Sequence, residues 1–354
     1  MTVSSRSTTA LESAVAELDA GRPLSEAATE AAFVEIMGGG APEPLVERLL
    51  LALRAQGESA DDVAGAVRAL RRAMRRVDHP RPEILVDTCG TGGGIVTTIN
   101  ISTAAAFVAA GAGATIAKHG NRSYTSRSGS ADVIEALGIA IEVEPLDATR
   151  ILTEARLVFL FAPSYHPAMR HVGPVRRRLK VPTLMNLVGP LANPAGAGRQ
   201  VVGVADRARG PIMAAALVRL GVAHGLVVHA DVGMDEISPV GNTTIWEVRD
   251  GGVREWTFDP ADSGLETASL EGLEGGDPDD NAARILELFD RPAGAAPALR
   301  AAVILNAAAA AYVGGLASSL AEAVVGAVES LESGRARERV EALRRASPQR
   351  ASER

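Results

Sequence analysis

The first eighty residues carry apolar side chains at helical spacing. Leu11, Val15 and Leu18 fall on one helical face, because residues three and four apart are neighbours on the surface of a helix. Capping and breaking residues mark three further helices, which are Ala27–Met37 before Gly38, Leu45–Gln56 after Pro44, and a helix capped by Ser59. We therefore predict a small all-helical domain over residues 1–80, with a role in support or association.

The pattern changes near Pro82, where short apolar runs begin to alternate with helical segments. The predicted strands are Ile84–Val86, which stops at Asp87, and then Ala114–Ala117, Ile139–Val143, Leu157–Phe161, Gln200–Val204 and Leu226–His229. The helices between them include Ala104–Ala110, Ala131–Leu137 and Ile212–Leu220. This alternation predicts an α/β domain over residues 81–345, with a mainly parallel central sheet flanked by helices. We expect residues 346–354 to form a frayed tail.

Two later runs have the spacing of a β-hairpin. Thr244–Val248 and Val253–Phe258 are separated by Asp250-Gly251-Gly252, and a turn of this chemistry favours the backbone twist of paired antiparallel strands. We expect this hairpin to extend the sheet. Helical patterns return from Asp279 onward.

Composition narrows the class of protein. The chain has 354 residues, a net charge of −7 and no long basic stripe, which argues against nucleic acid as its partner. Cys89 is its one cysteine, so an internal disulfide is excluded and no Cys/His cluster indicates zinc. The N-terminus is polar and unlike a signal peptide, and charged residues interrupt every apolar stretch before it reaches membrane-spanning length. We expect a cytoplasmic protein without a membrane partner.

A glycine-rich loop follows the first predicted strand. It reads Asp87-Thr-Cys-Gly-Thr-Gly-Gly-Gly94, and Asn100-Ile-Ser-Thr103 then opens a helix. Glycines let backbone N–H groups close on an anion, and a helix N-terminus adds positive potential. The spacing matches neither a Walker loop nor the dinucleotide fingerprint, which also disfavours a dehydrogenase. Two elements suited to phosphate within fourteen residues favour an anion site over a plain turn.

Chemistry also follows two other predicted strands. Lys118-His-Gly-Asn-Arg122 can supply a cation for pyrophosphate, whereas Ser130 is expected to cap the next helix or to contact phosphate. Asp235 and Glu236 form a carboxylate pair of the kind that binds Mg²⁺ together with substrate phosphates. Strands of a parallel sheet end at one edge. We therefore expect Gly92, Lys118 and Asp235 to meet in one cleft.

A third segment carries histidine and arginine. Arg176, Arg177 and Arg178 are consecutive, and such a run is usually solvated. One arginine that points inward would instead hold a carboxylate in a bidentate fork.

These motifs, in this order, resemble the anthranilate phosphoribosyltransferase family. The match is carried by Gly-Thr-Gly-Gly, Asn-Ile-Ser-Thr, Lys-His-Gly-Asn-Arg and Ser-Gly-Ser-Ala-Asp between Asp87 and Gly138, and by the later segments Phe161–Arg177, Asn186–Pro194 and His229–Ser238. The run Leu305-Asn-Ala-Ala-Ala-Ala and the helical start also resemble this family. The resemblance implies a fold similar to nucleoside phosphorylases, with the helical domain completed by helices within residues 166–192, and a homodimer. It implies transfer of a phosphoribosyl group from 5-phosphoribosyl 1-pyrophosphate to anthranilate, with Mg²⁺, in tryptophan biosynthesis.

The resemblance also implies the roles of individual residues. Those implied to bind the donor are Gly90, Thr91, Gly92, Gly93, Thr98, Asn100, Ser102, Thr103, Lys118 and Ser130. Those implied to bind the acceptor are Gly90, His119, Asn121, His166 and Arg176, with Arg176 facing the carboxylate. Lys118, Asn121 and Arg176 are the implied catalytic residues, and Ser102, Asp235 and Glu236 the implied metal ligands.

Two departures from the family pattern keep alternatives open. Gly94 stands where the family normally has Asp, and Ala230 and Val232 replace Gly and Asp before the carboxylate pair. Asp231, one position early, is the nearest substitute. The alternatives are transfer to another aromatic acceptor in specialised metabolism, a nucleoside phosphorylase, or a catalytically silent relative that binds a ligand or nucleic acid.

Overall fold

The computed structural model describes residues 8–94, 96–123, 127–265 and 269–348. The chain divides into two compact units, of which one comprises Met1–Arg75 and His166–Ala192 and the other Arg76–Tyr165 and Asn193–Arg354. The first unit is therefore built from two separate stretches of chain. Most of the expected tail, residues 349–354, lies outside the described residues.

Fifteen α-helices and seven strands are defined within those described ranges. The helices are α1 (Ala10–Asp19), α2 (Glu26–Met37), α3 (Glu43–Gln56), α4 (Ala60–Ala73), α5 (Ile101–Ala112), α6 (Ser130–Ala136), α7 (Pro145–Ala155), α8 (Ala162–Tyr165), α9 (Gly173–Leu179), α10 (Leu184–Val188), α11 (Gly210–Arg219), α12 (Pro278–Asp290), α13 (Pro297–Val313), α14 (Leu320–Glu332) and α15 (Arg335–Ala346). The strands are β1 (Leu85–Gly90), β2 (Thr115–Gly120), β3 (Leu157–Phe161), β4 (Arg199–Gly203), β5 (His224–Ala230), β6 (Thr243–Arg249) and β7 (Gly252–Phe258).

The helical unit follows its sequence signals closely. Leu11, Val15 and Leu18 are buried on one face of α1, as their spacing predicts. Ser59 caps α4 in a reciprocal arrangement, because its hydroxyl accepts from the Asp62 N–H at 3.1 Å and the Asp62 carboxylate accepts from the Ser59 N–H at 2.9 Å. The other oxygen of that carboxylate accepts from the Thr29 hydroxyl at 3.1 Å, which joins α4 to α2. The predicted helices are thus confirmed, with small shifts at their ends.

The α/β unit contains one seven-stranded sheet in the order β3-β2-β1-β4-β5-β6-β7. Strands β1 to β5 run parallel, and β6 and β7 add an antiparallel edge. The turn between β6 and β7 places Asp250 and Gly251 at φ of 52° and 74°, the left-handed region that a tight hairpin needs. The predicted hairpin and the mainly parallel sheet are confirmed.

Strand order reverses direction at β1. The chain proceeds from β1 through β2 to β3 on one side of the sheet, and then returns to pair β4 with β1 on the other side. In open α/β sheets, ligands bind outside the carboxyl ends of the strands at such a switch point. The crevice beyond Gly90 and Gly203, which are paired in register at the ends of β1 and β4, is therefore the expected site.

One predicted strand is wrong. Ile139–Val143 forms no strand, although Ile139, Ile141 and Val143 are buried in the core of the unit. Their alternation reflects one buried side of an extended segment that pairs with no strand in the described part of the chain. The Val143 carbonyl instead accepts a hydrogen bond from the Tyr165 hydroxyl at 2.7 Å. Apolar residues at every second position show that one side of a segment is buried. A β-strand must in addition form backbone hydrogen bonds with a neighbouring strand.

Strand β1 also extends further than predicted. It continues from Asp87 to Gly90, because Asp87, Thr88 and Cys89 pair with Gln200, Val201 and Val202 of β4.

The nearly all-apolar helices α5 and α13 pack against each other. Among the described residues, no helix combines the length and apolar character needed to cross a membrane.

Candidate active site

A cleft opens at the carboxyl ends of β1, β4 and β5 in the α/β unit. Its lining residues come from the ends of these strands, from α5, from the loop after β5 and from α13: Thr88, Cys89, Ser102, Ala105, Val201, Gly203, Val228, Asp235, Glu236 and Asn306. The lining thus combines an apolar floor with two carboxylates and several short polar side chains. This is the composition of a pocket that orients a polar ligand.

The two carboxylates bridge the glycine loop to the start of α5. Asp235 accepts a hydrogen bond from the Gly92 N–H at 3.1 Å. Glu236 accepts from the Ser102 N–H at 3.1 Å and from the Thr98 hydroxyl at 3.3 Å. Gly92 and Asp235 therefore meet in the cleft as predicted.

Two glycines allow this approach. A Cβ atom on Gly203 would lie 1.6 Å from the Asp235 carbonyl oxygen, and one on Gly90 would lie 2.7 Å from an Asp235 carboxylate oxygen. Any side chain at Gly203 would displace the backbone at Asp235, in the segment that carries the two carboxylates. Glycine at these positions is required for close packing of chain segments, and at Gly92 and Gly93 for positive φ of 67° and 82°.

Burial disfavours the charged form of both carboxylates. Burial and the neighbouring Asp235 carboxylate raise the pKa of Glu236 to about 8. Burial also raises the pKa of Asp235, although the Gly92 N–H opposes the shift. Two acidic groups that share a cleft cannot both ionise easily unless a positive charge lies nearby.

Lys118 supplies the ammonium group on the β2 side of the cleft. Its Nζ donates to the Thr88 carbonyl and lies 3.3 Å from the Ser102 hydroxyl, which it contacts as a donor. The side chain is buried, and desolvation lowers the pKa of Lys118, while Asp87 and Glu236 favour its charged form. Through Ser102, Lys118 joins the same cluster as Glu236, so the predicted meeting of three loops is confirmed.

Asp87 braces the strand ends beneath the cleft. Its carboxylate accepts from the His119 N–H at 3.0 Å and also interacts with the Asn193 side chain. The residue is fully buried, and this burial raises the pKa of Asp87 to about 6. The sequence identified Asp87 only as the end of an apolar run. It instead links β1 to β2 next to Lys118.

Asn100 is held by side chains from two other segments. Its Oδ1 accepts from the Ser128 hydroxyl at 3.2 Å and from the Asn281 amide at 3.0 Å. Asn281 was missed in the sequence, although a buried amide near the start of the amphipathic helix α12 is a usable signal. Thr103, near the start of α5, is fully buried, and its hydroxyl has no hydrogen-bond partner among the described residues.

The loop after β2 differs from its prediction at Ser130. Ser130 is the first residue of α6, and Gly129 occupies the capping position, where its N–H donates to the Asp132 carboxylate at 2.9 Å. The Ser130 hydroxyl donates instead to the Asn121 carbonyl at 3.3 Å. A Cβ atom on Gly129 would lie 2.3 Å from the Ser123 nitrogen, so the turn leaves no room for a capping side chain. The predicted cap is therefore wrong.

Two further predicted residues, His119 and Asn121, lie on either side of Gly120, the last residue of β2. His119 is buried within β2, and Asn121 is partly buried directly beyond it. In the glycine loop, the Thr91 N–H donates to the Gly203 carbonyl at 2.9 Å, and the Thr91 hydroxyl accepts from the Ala205 N–H at 3.3 Å.

Gly94 removes a side chain that would crowd the carboxylates. A Cβ atom there would lie 3.3 Å from an Asp235 carboxylate oxygen and 3.2 Å from the Gly233 carbonyl. Asp231 is exposed. The cleft therefore relies on Asp235 and Glu236 for its negative charge.

His166 and Arg176 belong to the helical unit. In the arginine run of α9, Arg178 is exposed and pairs with Glu43 at 2.9 Å and Glu47 at 2.7 Å, Arg177 is exposed, and Arg176 is partly buried. His166 is 5% exposed, and burial lowers the pKa of His166 to about 4. Its imidazole is therefore neutral at physiological pH.

Replacing His166 with Gln is expected to reduce the loss of stability that the protein undergoes as the pH falls. The unfolded histidine binds a proton below pH 6.5, whereas the folded one does so only near pH 4, so protonation favours the unfolded chain in that window. The free energy of unfolding of the variant, relative to the wild type, should rise by about 2 kcal/mol between roughly pH 7.5 and pH 4.5. Urea unfolding at both pH values measures this shift. His171→Gln, at a more exposed histidine, is the matched control, and an equal shift in both variants would contradict the assignment.

The cleft fits a metal that takes few ligands from the protein. Among the described residues, no group of three or more His, Cys, Asp or Glu side chains lies together as a metal site. Mg²⁺ typically uses one or two carboxylates and completes its shell with water and substrate phosphates. Asp235 and Glu236, with their crowded charges, match that requirement.

Comparison with known proteins identifies the class and then the family. Residues 82–337 match the model described as the a/b domain of a glycosyl transferase family, and residues 13–74 match the helical bundle domain of that family. The chain is 52% identical to the anthranilate phosphoribosyltransferase of Rubrobacter xylanophilus over 92% of its own length and 94% of that protein. It belongs to the anthranilate phosphoribosyltransferase family.

Solved structures agree with this assignment. The anthranilate phosphoribosyltransferase of Thermus thermophilus superimposes with a TM-score of 0.88 at 42% identity, covering 94% of this chain and 98% of the other. The Saccharomyces cerevisiae enzyme, solved in complex with PRPP and Mg, gives a TM-score of 0.85 at 29% identity, covering 95% and 97%.

Proposed function

We propose that this protein transfers the 5-phosphoribosyl group of 5-phosphoribosyl 1-pyrophosphate to the amino group of anthranilate, which releases pyrophosphate, in tryptophan biosynthesis. The observation that carries the proposal is the joining of the glycine loop, the start of α5, Lys118 and the Asp235–Glu236 pair in one cleft. Relatives that share this activity cover nearly the whole chain.

We assign the donor to the cleft of the α/β unit. The backbone of Gly90–Gly93 and the side chains of Thr98, Ser102 and Lys118 surround the carboxylate pair and suit a pyrophosphate. Thr91, Asn100, Thr103 and Ser130 stay predictions from the family resemblance, as do His119, Asn121 and His166 for the acceptor.

Charge stabilisation and positioning are the main tasks of these residues. Breaking the bond between the ribose and pyrophosphate builds negative charge on the leaving group, which Lys118 and the loop N–H groups stabilise. Asp235, Glu236 and Ser102 would hold Mg²⁺, which would supply further positive charge for stabilising the leaving group. An aromatic amine attacks without prior deprotonation, and its proton leaves late, to water or to pyrophosphate, so no strong base is required.

Loss of anthranilate fluorescence on addition of the donor and Mg²⁺ tests this function. We expect turnover that depends on both. Ribose 1-phosphate in place of the donor separates the activity from that of a nucleoside phosphorylase. If anthranilate is untouched, the proposal fails, and a panel of related aromatic amines tests the second candidate, transfer to another acceptor. Gly94 and Val232 are the observations that favour this second candidate.

Replacing Arg176 with Ala is expected to raise the KM for anthranilate far more than the KM for the donor. A charged hydrogen-bonded pair contributes about 1.5–3 kcal/mol, which corresponds to roughly a 10- to 100-fold change. Steady-state kinetics with each substrate varied in turn measures both constants. Arg177→Ala, at the exposed neighbour, should leave both unchanged. Equal increases in the two KM values for Arg176→Ala would contradict the carboxylate assignment.

We further propose a cytoplasmic homodimer. The lone Cys89 suits a reducing compartment. The family resemblance implies the homodimer, and the helical unit exposes Val34, Leu51 and Val181, each by at least 40%. Light scattering coupled to gel filtration, and cell fractionation, test these two statements.

A further inference from the structure

Helix α13 carries one amide among apolar side chains. Asn306 is 5% exposed, and the residues on both sides of it, from Ala301 to Ala311, are buried and apolar. A buried amide is costly unless its polar atoms are hydrogen-bonded. The contacts of Asn306 therefore indicate why a polar residue is present in this helix.

Two of these contacts join Asn306 to Ile237, the residue after the carboxylate pair. Asn306 Oδ1 accepts from the Ile237 N–H at 3.0 Å, and Nδ2 donates to the Ile237 carbonyl at 2.9 Å. Nδ2 also donates to the Ala302 carbonyl of its own helix at 2.9 Å, which fixes the orientation of the amide. One side chain thus satisfies both backbone groups of Ile237.

We propose that Asn306 is a positioning residue for the carboxylates of Asp235 and Glu236. The amide anchors the peptide groups next to Glu236 to a rigid, fully packed helix, and it also lines the cleft. Without this anchor the segment could rotate, and the carboxylate oxygens would lose their common orientation. The inference rests on the proposed metal-binding role of the pair. It assigns to α13 a role in that site.

Binding of Mn²⁺ alone to the full chain, followed by water-proton relaxation, tests the proposal without turnover. Asn306→Ser keeps a hydroxyl that reaches Ala302 within the helix but loses the contacts with Ile237. We expect Mn²⁺ binding to weaken by about 10- to 100-fold, as for other residues that orient metal ligands. The melting temperature is recorded alongside. Asn306→Leu, of similar volume, is the second variant if the serine variant does not fold.

Tyr312→Phe is the matched control on the same helix. It removes a buried hydrogen bond to Glu247 of 2.6 Å, away from the carboxylate segment, and should leave Mn²⁺ binding unchanged. Glu236→Gln locates the signal. If Glu236→Gln binds Mn²⁺ as tightly as the wild type does, the metal role of the carboxylate pair is overturned. The same conclusion follows if the wild type binds no Mn²⁺. If a folded Asn306 variant binds Mn²⁺ with wild-type affinity, only the positioning role of Asn306 is overturned. That role is also overturned if neither variant folds, because the amide would then serve the fold as a whole.

Discussion

Replacing Asp235 with Asn and Glu236 with Gln is expected to lower kcat by about 1000-fold. A bound metal that stabilises the charge of the transition state contributes several kcal/mol in such reactions. Both substitutions keep the size of the side chain and most hydrogen bonds, so the loop should retain its path. Activity measured against Mg²⁺ concentration should show little or no residual activation.

Asp231→Asn is the matched control for charge. It removes a carboxylate from the same loop, but its side chain is exposed and does not line the cleft. We expect it to keep near wild-type Mg²⁺ activation. Unchanged Mg²⁺ dependence in the double variant, or an equal loss in the double variant and in Asp231→Asn, would refute the assignment of the pair.

Lys118→Met is expected to reduce kcat/KM for the donor by about 100- to 1000-fold, the usual loss when one group that stabilises the transition state is removed. Methionine keeps the length of the side chain and packs well in a buried position, so the fold should tolerate it. The KM for anthranilate should change much less than that for the donor.

The chain provides a clean control for this experiment. Lys118 and Lys180 are its only two lysines, and Lys180 is exposed in the helical unit. Lys180→Met carries the same chemical change and should leave the kinetics unaltered. If Lys118→Met retains donor affinity and turnover, the buried ammonium serves only to hold Thr88 and Ser102.

Much of the fold and the centre of the cleft follow from local patterns. Parallel strands end at one edge of a sheet, so polar residues placed directly after predicted strands were expected to converge. Gly92, Lys118 and Asp235 do so. The hairpin turn at Asp250-Gly251 and the cap at Ser59 were predictable for the same reason, because each depends on a few adjacent residues.

The residues that brace the cleft were not predictable in this way. Asn306 reaches Ile237 across 69 positions, and Asn281 reaches Asn100 across 181, so no spacing within the sequence connects them. Asp87 resembled the polar end of a strand, because its burial depends on β2 and on Asn193. The Ile139–Val143 segment failed for a related reason. Its alternation recorded a buried face, whereas a strand also requires a neighbour with free backbone groups.

The split make-up of the helical unit sets an order on folding during synthesis. α10 packs against α4, and the Leu191 carbonyl accepts two hydrogen bonds from the Arg71 guanidinium, at 2.7 Å and 3.1 Å. These partners are separated by 120 residues that include β1, β2 and β3. Helices α1 to α4 therefore leave the ribosome long before the segment that completes them, and three strands emerge in the interval. A nascent chain halted before His166 holds a bundle that still lacks part of its core.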